Sequence, residues 1–170
     1  MRTFFLMFCC IFFTTTVHAA CNSNMPASTP NSQLIDNGNG TVTDLKTGLM
    51  WKQCLEGVSG SSCETGSLNI FRWHEALLQP GLINNVGGFA GYTDWRLPNI
   101  RELYSIVEEQ CYDPAINLNR FPNTLSSYVW SGSPYALNSD YAWYVYFYKG
   151  SSYASARNDT HTIRLVRGGQ

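Results

Sequence analysis

Apolar side chains recur with helical spacing in two short stretches of the chain. The first stretch lies within residues 68–78, where Asn69 is of a residue type that caps helices. Three side chains at 3, 4 spacing predict its buried face: Trp73, Ala76 and Leu77. We expect Pro80-Gly81 to end this helix, because proline and glycine both disfavour a helix interior.

The start of the second helix is marked more clearly. Asn99 can cap it, and Glu102 stands at the third helical position, as in a capping box. The predicted buried stripe consists of four aliphatic side chains: Ile100, Leu103, Ile106 and Val107. The pattern therefore predicts two helices.

Most other apolar segments are short and rich in β-branched or aromatic residues, which predicts strands. The expected strands are residues 41–43, 48–52, 128–131, 142–148, 152–156 and 162–166. Asp44 to Thr47 joins the first two, and Lys149-Gly150-Ser151 predicts a hairpin between 142–148 and 152–156.

Alternation divides the strand 142–148 into two faces. One face, predicted to be buried, carries Trp143, Val145 and Phe147, and the other carries Tyr144, Tyr146 and Tyr148. Trp51, Trp95, Trp130 and Trp143 are predicted to lie mainly in the core, beside Leu103 and Phe147.

The segment before the first strand is polar. Residues 22–35 contain two prolines and predict a tether, and residues 36–40 predict a tight turn.

The Asp36–Gly40 string resembles part of a calcium loop, but Thr47 occupies the place of the twelfth-position carboxylate. Similarly, His74-Glu75 begins an HExxH pattern in which Leu78 replaces the second histidine. We therefore expect no bound metal and no cofactor.

The N-terminus has the features of a secretory signal. Arg2 supplies the basic start, residues 4–13 form an apolar run too short to span a bilayer, and Ala19 suits the position before a cleavage site. Lipidation of Cys21 is an alternative, although His18 stands where lipoprotein sites place an aliphatic residue. The predicted organisation is a signal peptide at 1–19, a polar arm at 20–35 and a domain at 36–170. The destination would be the periplasm, the cell surface or the medium.

An exported protein reaches an oxidising environment, so the cysteines that remain after cleavage are expected to form disulfides. Cys54 and Cys63 bracket a Gly/Ser-rich loop, which favours a local bridge and leaves Cys21 to pair with Cys111. A four-cysteine zinc site is disfavoured because these cysteines form no Cys-x-x-Cys pair.

Composition excludes several classes of protein. The formal net charge is -1 and charged residues make up 14%, so general nucleic-acid binding is not expected. Aromatic residues also make up 14%, which is too apolar a composition for a disordered chain. No segment of the chain reaches transmembrane length in its hydrophobic pattern.

A series of short motifs gives the chain a resemblance to one family. In order, they are Gly40–Asp44 (GTVTD), Thr47–Trp51 (TGLMW), Asp94–Asn99 (DWRLPN), Glu102-Leu103, Pro114–Asn117 (PAIN), Phe121–Thr124 (FPNT), Trp130–Pro134 (WSGSP), Ala142-Trp143 and Val166–Gly169 (VRGG). This pattern resembles the Lcl C-terminal domain family, the head of bacterial collagen-like adhesins and related exported proteins. The resemblance implies an α+β, C-type-lectin-like fold with two helices on antiparallel sheets. It also implies binding of sulfated glycosaminoglycans and a trimeric state.

Catalysis is not expected. After signal removal the histidines are His74 and His161, and neither lies in a recognisable catalytic motif. Trp95–Pro98 also resembles the formylglycine-generating enzymes, but no cysteine follows Cys111 to supply their late cysteines. A calcium-dependent sugar site is disfavoured too, because Phe121-Pro122-Asn123 and Arg157-Asn158-Asp159 each lack the first residue of the lectin motifs.

The candidate ligand-binding surface is the hairpin after residue 142. Tyr144 and Tyr146, with Tyr148, can form an aromatic platform, and Lys149 and Arg157 can clamp a sulfate or carboxylate. Arg164 and Arg167 are further cations near this hairpin in sequence. The alternative is that the tyrosines pack beneath a loop while the arginines pair with Asp140 and Asp159. Arg96 and Arg101 are expected in structural ion pairs with Asp94 and Glu102.

The sequence therefore predicts an exported, non-catalytic, adhesin-like binding module. Its expected partner is a glycan, including sulfated polysaccharide, or a surface protein. The alternatives are a structural envelope protein and an enzyme related to the formylglycine-generating group.

Overall fold

A computed structural model describes residues 18–168. The predicted signal core and its basic start lie outside the described residues. Within the described range, the strands in chain order are β1 Ala20–Cys21, β2 Leu34–Asp36, β3 Thr41–Asp44, β4 Met50–Lys52, β5 Val58–Ser59, β6 Thr65–Gly66, β7 Cys111–Tyr112, β8 Tyr128–Pro134, β9 Tyr141–Tyr146, β10 Ser151–Ala156 and β11 Val166–Arg167. The helices are α1 Trp73–Asn85 and α2 Ile100–Tyr104. The architecture is α+β.

Two antiparallel sheets carry the fold. One has the strand order β10-β9-β8 and the other the order β11-β4-β3-β2, while β1-β7 and β5-β6 form two-stranded pairs. The predicted hairpin between β9 and β10 is confirmed, with Ser151 opposite Tyr146. The predicted strand 162–166 is wrong in extent: only its last residue, Val166, belongs to a strand, which pairs with β4.

Helix α1 differs from its predicted form. It begins at Trp73 after an N-cap at Arg72, whose backbone N–H donates to Glu75 Oε2 over 2.8 Å, and it continues through Pro80. Proline inside a helix removes one backbone donor, and Pro80 is buried on the same helix face as Trp73 and Ala76. The predicted buried residue Leu77 is exposed, because the buried face follows Trp73, Ala76 and Pro80.

Helix α2 begins where the capping box predicts. Asn99 Oδ1 accepts from the Glu102 backbone N–H over 2.9 Å, and Glu102 Oε2 accepts from the Asn99 N–H over 2.7 Å. The helix is only five residues long. Ile106 and Val107 are buried as predicted, although they lie beyond its end.

Two apolar clusters cover opposite faces of the sheet β10-β9-β8. One contains Val129, Val145 and Phe147 together with Trp51 and Leu103. The other contains Trp95 and Trp130, with Ala142 and the partly buried Tyr144. The core prediction is confirmed for Trp51, Trp95 and Trp130, all of which are buried.

The core prediction is wrong for Trp143, which is only partly buried. Trp143 pairs regularly with Ala154 of β10, but the register of β8 shifts between Trp130 and Pro134, so Trp143 has no regular partner on the β8 side. The indole instead lines a shallow surface cleft with Ile100 and Tyr104.

The predicted tether at residues 22–35 is also wrong, because this arm is docked on the domain. Thr29 and Leu34 are buried, and β2 pairs with β3. The buried Glu108 carboxylate accepts from the backbone N–H groups of Ser28 (2.8 Å) and Thr29 (2.9 Å). Burial raises the pKa of Glu108, but these hydrogen bonds outweigh it and hold the pKa below its ordinary value.

Both predicted disulfides are confirmed. Cys21 is joined to Cys111 and Cys54 to Cys63. The first bridge uses the Cys21 Sγ that a lipid thioether would need, so it is incompatible with lipidation at that residue. Neither helix in the described range, residues 18–168, has the length and hydropathy of a membrane span.

Candidate binding surface

Six tyrosines form a continuous row of ring contacts, which we call the tyrosine strip. Its members, in order of contact, are Tyr112, Tyr148, Tyr146, Tyr128, Tyr144 and Tyr153. Successive ring centroids are 4.5 to 6.5 Å apart. The sequence prediction brought together only Tyr144, Tyr146 and Tyr148.

Strand register creates the row. Tyr128 of β8 lies opposite Tyr146 of β9, and Tyr153 of β10 lies opposite Tyr144. Directly opposed residues share a sheet face, so rings from three strands meet there. Tyr112 joins at one end because the Asp113 N–H donates to the Tyr148 carbonyl over 2.9 Å.

The strip rests on a second aromatic layer. The ring of His161 lies 4.1 Å from Trp130, 4.9 Å from Tyr144 and 5.2 Å from Tyr128, measured between centroids. His161 is buried, and its Nδ1 lies 2.7 Å from the Thr160 carbonyl oxygen. This packing fixes the positions of the central tyrosines from below.

The central rings pack on one another. Tyr146 is tilted by 30° from Tyr128 and by 23° from Tyr148, at centroid distances of 4.5 and 5.6 Å. Rings at these distances and angles are in stacking contact. The strip is therefore a packed ribbon of rings and phenol hydroxyls, and not the flat platform that an isolated Tyr144–Tyr146 pair would form.

The environment raises the pKa of two phenols of the strip above its ordinary value of 10.0. Burial raises the pKa of Tyr144, with further contributions from Tyr128 and Tyr153. Burial also raises the pKa of Tyr146, as do Tyr128 and a hydrogen bond with it. Both hydroxyls can thus donate and accept hydrogen bonds at neutral pH.

The two predicted clamp cations lie at opposite ends of β10. Lys149 is exposed in the hairpin turn, whereas Arg157 follows the last residue of β10. Six strand residues separate these ends, which corresponds to about 20 Å. The Arg157 guanidinium lies 4.3 Å above the Trp73 ring, and its Nε donates to the Tyr141 carbonyl over 3.2 Å. The two cations therefore do not converge on one anion.

The other candidate arginines are engaged elsewhere. Arg164 is fully buried and donates to the Lys52 carbonyl over 2.9 Å and to Thr124 Oγ1 over 2.7 Å. Arg167 pairs with Asp94 over 2.7 Å. Neither of these cations is free to clamp a ligand.

The arginine pairs near α2 were half correct as predictions. Arg96 forms a bidentate ion pair with Glu102, both bonds at 2.8 Å, as expected. Arg101 is exposed and lines the cleft beside Trp143. It does not form the predicted ion pair with any carboxylate among residues 18–168, because Glu102 pairs with Arg96.

Two carboxylates lie beside the strip: Asp113, which the sequence prediction missed, and Asp159, which it named only as a partner for the arginines. Asp113 follows Tyr112 and accepts from the Ser126 hydroxyl, and Asp159 accepts from the Ser155 hydroxyl at the end of β10. Both aspartates are exposed. Tyr153 could have been found by counting across the predicted hairpin, but Tyr112, Tyr128 and Asp113 required the strand pairing.

Within residues 18–168, no group of three or more His, Cys, Asp or Glu side chains could hold a metal ion. The Asp36–Gly40 string forms the predicted turn: the Gly38 N–H donates to Asp36 Oδ1 over 2.8 Å, and Gly38 and Gly40 both have positive φ. His74 is exposed on α1, with its Nε2 4.0 Å from Glu75 Oε1.

These features define a disulfide-bonded α+β domain with an exposed aromatic surface, and two disulfides are typical of proteins in an oxidising compartment. Residues 40–167 match the family model described as the Lcl C-terminal domain. The chain therefore belongs to the Lcl C-terminal domain family, which confirms the resemblance seen in its motifs. A search of curated proteins finds no match.

Proposed function

We propose that the protein is an exported, non-catalytic binding module of the C-type-lectin-like, adhesin-like kind, and that it recognises a glycan through the tyrosine strip. The family match supports a surface or exported binding module. The single observation that supports this site is the continuous row of six tyrosines, four of them on one face of the sheet β10-β9-β8.

The exposure of the strip favours recognition over a purely structural role. Tyr112, Tyr128 and Tyr153 are 56%, 44% and 46% exposed. Large aromatic side chains grouped at the surface mark interaction sites, because each ring offers apolar area and a polar hydroxyl. Sugars present the matching combination of C–H faces and hydroxyls.

The two disulfides support export, since such bonds persist in the periplasm and outside the cell. The mature protein would begin near Ala20, at the start of β1. The bridge from Cys21 to Cys111 would then anchor the new N-terminus to the domain.

The test is a glycan array with the secreted protein, with and without a chelator. We expect binding that the chelator does not change. Tyr146→Ala should weaken it, whereas Tyr104→Ala, an equivalent change at an exposed tyrosine outside the strip, should not. Loss of binding in the presence of EDTA would contradict the proposal, as would equal effects of the two variants or capture of a surface protein in place of every glycan.

A further inference from the structure

We infer that the ligand of the tyrosine strip is an uncharged polysaccharide, held by ring edges and hydroxyls without an ionic clamp. This inference rests on the proposed function and specifies the ligand class of the same site. It departs from the expectation of sulfated polysaccharide, because the charges around the strip are arranged unfavourably for an anion.

One carboxylate lies near each end of the tyrosine strip. Asp113 is adjacent in the chain to Tyr112, and its negative charge is among the causes that raise the pKa of Tyr146 after burial and Tyr128. Asp159 is held by Ser155 near the other end, and its charge contributes in the same way at Tyr144. A sulfate on the strip would approach these carboxylates and be repelled.

The cations do not compensate for these carboxylates. The Arg157 guanidinium is occupied by the Trp73 ring and the Tyr141 carbonyl, and Arg164 is buried in the core. Lys149 lies in the hairpin turn, one residue beyond Tyr148 and at the opposite end of β10 from Arg157. A linear polyanion needs a series of cations along its path, and the strip does not provide one.

The groups that the strip does offer suit an uncharged chain of sugars. The phenols of Tyr144 and Tyr146 stay protonated and can both donate and accept hydrogen bonds. Serines on the neighbouring strand β10, Ser151 and Ser155, add hydroxyls on the same face, because residues two apart on a strand share a face with Tyr153. Hydrogen bonds between neutral groups, unlike ion pairs, depend little on salt.

The experiment compares affinity gel electrophoresis of the disulfide-bonded protein in hydroxyethylcellulose and laminarin, both uncharged, with that in dextran sulfate. We expect retardation by an uncharged polysaccharide that is equal at low and high salt. Tyr128→Ala should weaken it about fivefold, the loss expected for one aromatic contact. The control Tyr104→Ala should leave it unchanged.

A charge-removal variant separates the inference from the proposed function. Asp113→Asn with Asp159→Asn keeps the hydrogen-bond acceptors and should strengthen binding to dextran sulfate while leaving binding to the uncharged polysaccharide unchanged. Glu64→Gln, which removes one exposed carboxylate elsewhere, is the control and should change neither.

The outcomes are distinct. Salt-sensitive binding of unmodified protein to dextran sulfate alone, lost in Tyr128→Ala, would overturn the inference and retain the proposed glycan-binding function. The absence of binding to all three polysaccharides and to every glycan on the array would overturn both. Retardation by an uncharged polysaccharide that Tyr128→Ala does not weaken would place the site elsewhere and also overturn the inference.

Discussion

His161 is a titratable side chain enclosed by aromatic rings below the tyrosine strip. Burial lowers its pKa below the ordinary value of 6.5, and the Thr160 carbonyl and the charge of Asp159 offset this only in part. The unfolded chain therefore takes up this proton at higher pH than the folded protein does. The contribution of neutral His161 to the free energy of unfolding is therefore complete above about pH 6.5, and it is lost as the pH decreases toward the pKa of the folded state.

We predict that His161→Phe flattens the pH dependence of stability between neutral pH and about pH 5. Phenylalanine suits the surrounding rings and removes the buried Nε2, which has no hydrogen-bond partner within residues 18–168. The carboxyls with lowered pKa, Asp94, Glu102 and Glu108, lose their contribution only at lower pH, because their ordinary values are 3.8 to 4.5. Urea unfolding at both pH values measures the effect.

The exposed His74 supplies the control, since His74→Asn should retain the pH dependence of the unmodified protein. If His161→Phe loses as much stability on acidification as the unmodified protein does, the titrating group lies elsewhere.

Arg164 shows why the chemistry of single residues was harder to predict than the elements. As a cation near the hairpin it was a candidate anion clamp, yet it is fully buried, and burial lowers its pKa to about 9. Its neighbours Ile163 and Leu165 are also fully buried, so this segment does not alternate between core and solvent. The three consecutive residues pack in a non-strand segment, which no period-2 pattern could reveal.

At the scale of elements, β9 carries tryptophan and tyrosine on opposite faces, and the two faces differ in how completely they are covered. Trp143 shares a face with Val145 and Phe147, which are buried, but lies at the end where β8 is irregular. The alternation of side chains therefore predicted the correct face of β9, but it could not predict how far α2 buries that face. The extent of burial depends on tertiary packing, which cannot be predicted from local periodicity.

We predict that Trp143→Ala destabilises the protein much less than Trp130→Ala. Trp130 is fully buried and donates from Nε1 to the Phe71 carbonyl over 2.9 Å, so its truncation should cost about 3–5 kcal/mol. Trp143 is partly exposed and should cost less than half as much. Chemical denaturation of the two variants measures the difference. Equal losses would show that Trp143 is a core residue after all.

The N-terminal arm offers a second prediction for an element. Glu108 holds the arm through the Ser28 and Thr29 amides, so Glu108→Ala should free these amides and speed their hydrogen exchange. The neighbouring Glu109 is exposed, and Glu109→Ala is the matched control. Exchange read by mass spectrometry over residues 22–35 should rise in the first variant only. Unchanged protection in Glu108→Ala would mean that the disulfide and β2 suffice to dock the arm.

For the whole molecule, the order of the two helices and of the longer strands was predictable, and so was the disulfide pairing, because local signals mark the helix cap, the hairpin and the short Cys54–Cys63 loop. Each of these signals lies within about ten residues of sequence: the capping box at Asn99, the hairpin turn near Gly150 and the short loop between Cys54 and Cys63. The tyrosine strip depends on the pairing of β8 with β9 and on the approach of β7, across longer sequence separations. Single-sequence patterns do not encode that pairing.

The two disulfides should contribute unequally to the stability of the whole molecule. The Cys21–Cys111 bridge closes a separation of 90 residues and Cys54–Cys63 one of 9. In the chain-entropy account, the longer closure removes more freedom from the unfolded chain, about 4.6 against about 2.6 kcal/mol. The double variant Cys21→Ser/Cys111→Ser should therefore unfold at lower urea concentration than Cys54→Ser/Cys63→Ser. The reverse order would mean that the short loop around Gly57, and not the arm, stabilises the folded state most through its native contacts.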